Sequence, residues 1–200
     1  MALLEVTDVT AAYGAVTALR GITMQVEAHE RIALLGANGA GKTTTLRMLS
    51  GLVSPKSGTV VLDGKRIDRL PAHKVVGHGV GHVPEGRELF PDLGVEENLR
   101  YGYWPRHKDK GGYKRQLDMV YEMFPRLKER RRQHAITLSG GEQLMLVVAR
   151  ALMSSPKLLM CDELSLGLAP KIVSQLYEIL AAVNEQGTAV IIVEQFVHTA

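Results

Sequence analysis

The run Gly36-Ala-Asn-Gly-Ala-Gly-Lys42-Thr43 constrains this chain more than any other feature. It fits G-x-x-x-x-G-K-[ST], a pattern that arises by chance in a chain of 200 residues at a rate on the order of 1%. Its context agrees with it. The apolar run Arg31 to Leu35 reads as a strand buried on both faces, and Lys42 to Leu52 carries helical spacing at Leu46, Leu49 and Leu52. A glycine-rich turn between a strand and a helix can aim successive backbone N–H groups inward as an anion nest. Gly39 and Gly41 permit that bend, and the helix beginning near Lys42 adds its positive end. The candidate phosphate ligands are therefore Gly36, Asn38, Gly39, Ala40, Gly41, Lys42, Thr43 and Thr44. Lys42 is placed to reach β- and γ-phosphates, and the Thr43 hydroxyl to ligate Mg²⁺.

The flanking sequence supplies the architecture. Leu3 to Val9 and Ile22 to Val26 are rich in β-formers, with a turn at Tyr13-Gly14 between them. Val60 to Asp63 and His78 to Val83 read as further strands. Val95 to Tyr101 and Tyr113 to Phe124 read as helices, separated by a polar basic loop. The basic run Arg126 to Arg132 reads first as a solvated face, with a contact to lipid headgroups or a partner as the alternative. Gly140 to Ser154 is a helix, Leu158 to Cys161 a buried strand, Pro170 to Gln186 an amphipathic helix and Thr188 to Val193 a buried strand. Alternating strands and helices predict an α/β fold with a parallel sheet, into which the helical stretch is inserted.

Asp162-Glu163 closes the strand Leu158 to Cys161, at the sheet edge where ligands of open α/β folds sit. An Asp-Glu pair after apolar residues is weak by itself. With the phosphate loop it reads as Asp162 holding Mg²⁺ through water, and Glu163 polarising an attacking water as general base. Cys161 reads as a small buried apolar side chain, and one cysteine cannot form an internal disulfide.

Leu138-Ser139-Gly140-Gly141-Glu142-Gln143 resembles the signature motif of ATP-binding cassette (ABC) ATPases, and the resemblance extends over essentially the whole chain. It implies a P-loop NTPase core with an N-terminal antiparallel β subdomain and an inserted helical subdomain. The single ABC ATPase domain would span 1–200, with 1–85 and 155–200 as nucleotide-binding core and about 86–154 as the helical part. The resemblance further implies a second ABC ATPase subunit, alike or unlike, so that Ser139, Gly140 and Gly141 meet ATP held by the other chain. It places Tyr13 against adenine, Glu85 at the hinge of the helical insertion near Mg²⁺, and His198 at the switch position facing the γ-phosphate. Ser165 to Leu168 becomes the loop that crosses the dimer interface. Pro84 to Arg87, Phe90 to Leu93, Val95 to Asn98 and Val193 to Gln195 look like the LivF-type ATPases of branched-chain amino acid importers; urea and short-amide importers are close relatives.

That reading implies an ATP-hydrolysing, energy-coupling subunit on the cytoplasmic face of the inner or plasma membrane, peripheral through permease subunits. Phe90 to Leu99 is the expected docking surface. The net charge of +3 is too mild to imply nucleic acid, and no stretch approaches the length of a spanning helix. Leu164 stands where the family usually has proline, which predicts slower hydrolysis. Leu144 replaces a usual glutamine and is expected to add apolar surface at a helix start. Relatives continue beyond the position of Ala200, so the C-terminal end reads as truncated. A weakly active cassette that binds nucleotide, and a soluble ABC ATPase acting on nucleic acid or the ribosome, are the rival readings.

Overall fold

The computed structural model describes residues 2–109 and 111–194. The antiparallel sheet is built from β1 (Leu4–Tyr13), β2 (Val16–Val26), β4 (Ser57–Leu62) and β5 (Lys65–Arg66), in the order β2-β1-β4-β5. The parallel sheet has the order β3-β8-β7-β6, from β3 (Arg31–Leu35), β6 (Val80–Val83), β7 (Leu158–Asp162) and β8 (Ala189–Glu194). The apolar runs explain the centre of that sheet. Every residue of β7 and β8 is buried, as expected for strands covered on both faces.

β3 departs from its expected burial. Ile32 and Leu34 pack against the core, whereas Arg31, Ala33 and Leu35 are exposed. The strand pairs only with β8 among the described residues and so forms the sheet's edge. The helix α1 (Lys42–Leu49) also stops earlier than its spacing suggests. Gly51 adopts φ 76° just beyond it, and Leu52 is left exposed. One short helix, α2 (Ala72–Gly77), was not legible as such, because six residues give too little periodicity.

The remaining helices are α3 (Val95–Gly102), α4 (Gly112–Met123), α5 (Pro125–Glu129), α6 (Gly140–Leu152) and α7 (Pro170–Glu185). Leu99, Val120, Leu127, Leu146 and Val148 from α3 to α6 share one apolar cluster with Leu159, Cys161, Val190 and Ile192 of the parallel sheet and Leu176 and Leu180 of α7. A second cluster joins α1, through Leu46 and Leu49, to the antiparallel sheet and to the opposite face of the parallel one. Strand side chains alternate between faces, so β7 divides Leu159 and Cys161 from Leu158 and Met160. The sheet that carries the acidic pair is thus clamped between two cores. His198 lies outside the described residues.

Candidate active site at the ends of the parallel strands

The glycine-rich loop leaves β3 and enters α1 through Gly41, whose φ of 93° is left-handed. A Cβ there would lie 2.7 Å from Leu19 Cδ2 and 3.3 Å from the Ala18 carbonyl, so both backbone conformation and space require glycine. Gly39 is also left-handed, at φ 81°, but faces open space. The Lys42 ammonium folds back over the loop, donating to the carbonyls of Gly36 at 2.7 Å and Ala37 at 3.2 Å. It also pairs with the Glu163 carboxylate at 3.7 Å, with both side chains largely shielded from water.

Asn38, Gly39, Gly41, Lys42, Thr43, Thr44, Glu85 and Glu163 line one cleft of about 330 Å³. Ala18 lines it too, a residue that carries no motif and becomes visible only through its contact with the loop. Asp162 stands beside Thr43, whose side chain favours its ionised form. Asp162 is 1% exposed, and its Oδ1 is buried without a hydrogen-bond partner. Burial pushes its pKa up, the Thr43 side chain opposes this, and the neighbouring charges of Glu163 and Glu85 add to the rise.

The sign of that shift makes a stability prediction. A carboxyl whose pKa is raised on folding favours the native state while protonated and opposes it once ionised. Asp162→Asn is therefore expected to raise the Tm of the nucleotide-free chain. The gain should be greatest near pH 8 and shrink as pH falls into the carboxylate range. Calorimetry across pH checks this, and an unchanged or lowered Tm at pH 8 contradicts it.

Glu163 has φ 46°, left-handed for a non-glycine residue, while its N–H donates to the Val193 carbonyl at 3.0 Å. Leu164 is 5% exposed and Leu144 is 3% exposed. Both line a second cavity, of about 600 Å³, that also touches Glu85, Asp162 and Glu163. Leu144 therefore does not add apolar surface, as its sequence position suggests. It is turned inward because it lies on the buried face of α6 with Val147 and Val148.

The signature residues form a different surface. Ser139 caps α6, its hydroxyl accepting from the Glu142 N–H at 3.3 Å, and the Glu142 carboxylate accepts from the Ser139 N–H at 3.0 Å. Arg130 holds that carboxylate at 2.9 Å, so part of the basic run serves the cap rather than solvent. Burial pushes Glu142 up, but the Ser139 hydrogen bonds and the charges of Arg130 and Arg126 bring it net below its ordinary value. Ser139 and Gly141 line a groove with Lys171 and Ile172 of α7, not the cleft lined by Lys42 and Glu163. Gly140 lies against Arg87. Tyr13 is 44% exposed at the end of β1 and does not line the cleft. Glu194, unremarked in the sequence reading beyond its place in the Val193-Glu-Gln195 run, is a buried carboxylate. It accepts from Ser165 Oγ at 2.8 Å and from the Tyr177 hydroxyl at 3.0 Å, tying the end of β8 to the loop 165–168 and to α7.

A strand, a glycine-rich turn, a helix and an acidic pair at the carboxyl edge of a parallel sheet are the arrangement of a P-loop ATPase fold. Residues 19–165 match the ABC transporter family, and the chain belongs to that family as an ATP-binding, ATP-hydrolysing subunit. It is 46% identical over 193 residues to the high-affinity branched-chain amino acid transport ATP-binding protein BraG of Pseudomonas aeruginosa, covering 96% of this chain and 82% of that one. It is 33% identical over 199 residues to a probable branched-chain amino acid transport ATP-binding protein, LivF, of Archaeoglobus fulgidus, covering 99% and 84%. A solved ATP-binding subunit of an ABC transporter superposes with a TM-score of 0.86 at 30% identity, covering 99% of this chain and 81% of that one.

Proposed function

We propose that the chain is the energy-coupling ATPase of an importer for branched-chain amino acids, working as one of two cassettes that enclose ATP between them. The observation that carries the two-chain reading is the separation of the two half-sites. Lys42, Thr43, Glu85 and Glu163 share one cleft, whereas Ser139 and Gly141 open onto another surface. A helix N-terminus suits a phosphate, and in this reading another chain's nucleotide brings one there. The solute reading rests on the similarity to BraG and LivF.

In this reading Lys42 and the loop N–H groups hold the β- and γ-phosphates, and Tyr13 packs against adenine. Thr43 and Asp162, with Glu85 through water, hold Mg²⁺, which when bound neutralises phosphate charge. The buried, unpartnered Oδ1 of Asp162 suits this role. No group of three or more His, Cys, Asp or Glu side chains that could hold a metal occurs among the described residues. The donor set thus resembles a magnesium site completed by phosphates and water more than an all-protein cage. Glu163 takes the proton from the attacking water. Closure of the two chains depends on contacts that exist only while the γ-phosphate is present, so hydrolysis releases them.

No helix among the described residues is long and apolar enough to cross a membrane. Attachment at the cytoplasmic face would come through permease subunits. Exposed Phe90, Tyr101 and Trp104 rim a groove floored by Val147 and Ala151, which suits an amphipathic helix. The expected surface, Phe90 to Leu99, supplies only its near wall, because Asn98 and Leu99 are buried. The test is to recover the Glu163→Gln chain from detergent-solubilised membranes with Mg-ATP and identify its companions by mass spectrometry. A permease pair, with a like or unlike second cassette, is expected. A soluble chain without membrane companions would contradict the transporter reading.

A further inference from the structure

Glu85, Gly86 and Arg87 make a tight turn in which Gly86 has φ 89° and Arg87 has φ 65°. Arginine is rarely left-handed, so something holds it there. The consequence is geometric. Glu85 lines the phosphate cleft, and Arg87, two residues on, lies against the first turn of α6. A Cβ on Gly140 would come within 2.9 Å of Arg87 Nη1 and 3.3 Å of Nη2, so the guanidinium fills the space a side chain would need. Nη1 donates to Gln143 Oε1 at 3.4 Å, and Gln143 Nε2 donates in turn to the Ala135 carbonyl at 3.2 Å. The next residue secures the far end of the same helix, where Arg150 Nη2 donates to the Glu88 carbonyl at 2.7 Å. The loop 85–88 therefore grips α6 near both ends.

We propose that Arg87 is a positioning residue that transmits nucleotide occupancy at Glu85 to the Ser139–Gly141 turn of the same chain. The proposal rests on the nucleotide-site reading above and goes beyond it in naming the connection. Rigid elements with short links carry displacement, and α6 is held by two such links within four residues of the cleft.

Hydrogen–deuterium exchange of the full Glu163→Gln chain, with and without Mg-ATP and at a dilution where light scattering shows single chains, tests this, because no partner's nucleotide can then shield 139–145. ATP is expected to slow exchange in 36–44 and, about threefold or more, in 139–145. Arg87→Ala should remove the slowing in 139–145 while keeping that in 36–44. Arg87→Lys, which keeps the charge but not the fork that reaches Gly140 and Gln143, should restore only part of the effect. A purely structural role would raise exchange equally with and without nucleotide. Undiminished ATP-dependent slowing in 139–145 with Arg87→Ala would overturn the proposal, as would slowing confined to 36–44 in the parent. No slowing in 36–44 of the parent would overturn the nucleotide-site reading and the proposal with it.

Discussion

Glu163→Gln is expected to lower kcat for ATP hydrolysis about a thousandfold, within the range general-base catalysis supplies, while ATP still binds. Glutamine keeps the size and hydrogen-bonding reach of the side chain but cannot accept the water's proton. The geometry adds a second reason to expect retained binding. Lys42 pairs with Glu163 at 3.7 Å yet also donates to the Gly36 and Ala37 carbonyls, so losing the carboxylate does not release it from the loop. Removing one negative charge beside the phosphates should even tighten nucleotide a few-fold. Single-turnover hydrolysis alongside equilibrium binding of a fluorescent ATP analogue separates the two effects. A variant that turns over at the parent rate would remove Glu163 as the base.

The second large effect is expected from Gly41→Ala. A side chain at φ 93° is strained wherever it sits, at a cost of about 1–3 kcal/mol. Here the added methyl also meets Leu19 at 2.7 Å and the Ala18 carbonyl at 3.3 Å, one of them backbone. Leu19 is 2% exposed and cannot swing into solvent without opening the core behind it. The loop must then shift, and the N–H groups that converge on phosphate shift with it. ATP affinity should fall by a factor of about 30 or more, the equivalent of about 2 kcal/mol, and Tm should fall as well. Gly39→Ala is the informative control, because its Cβ meets nothing within 4 Å and only the φ of 81° resists it. If both variants bind ATP as the parent does, the loop is not the phosphate cradle.

The comparison of these two glycines shows what a sequence conveys. The spacing from Gly36 to Thr43 marks the loop because each residue type answers a local need, and local needs survive in a pattern. The apolar runs of β7 and β8 were equally plain, since strands buried on both faces need unbroken apolar sequence. What the pattern did not carry depends on neighbours. β3 has the same apolar composition but lies at an edge, and strand order is not a local property. Leu144 reads as surface until α6 turns it inward beside Leu164 and the acidic pair. Arg87 lies within a run resembling one importer subfamily, yet its contact with Gly140 joins positions far apart in the chain. Glu194 shows only as the carboxylate ending an apolar strand, and its anchoring of Ser165 and Tyr177 needs the fold. Tyr13 and Ser139 were legible through resemblance, and the structure leaves both outside the phosphate cleft of their own chain.

The central claim is that each catalytic site is completed by a second chain, and complementation measures it most directly. A Lys42→Ala chain keeps its signature turn but lacks the phosphate loop lysine. A Ser139→Glu chain keeps the loop but sets a carboxylate where phosphate must dock. Mixed together, they can build one intact site from two defective chains, alongside one that is doubly defective. ATPase of the mixture, with the parent chain and each variant alone as references, is the measurement. The account predicts near-zero rates for each variant alone and recovery in the mixture to a substantial fraction of the parent rate. A mixture no more active than its components would contradict the shared site, as would a Ser139→Glu chain that hydrolyses ATP unaided at the parent rate.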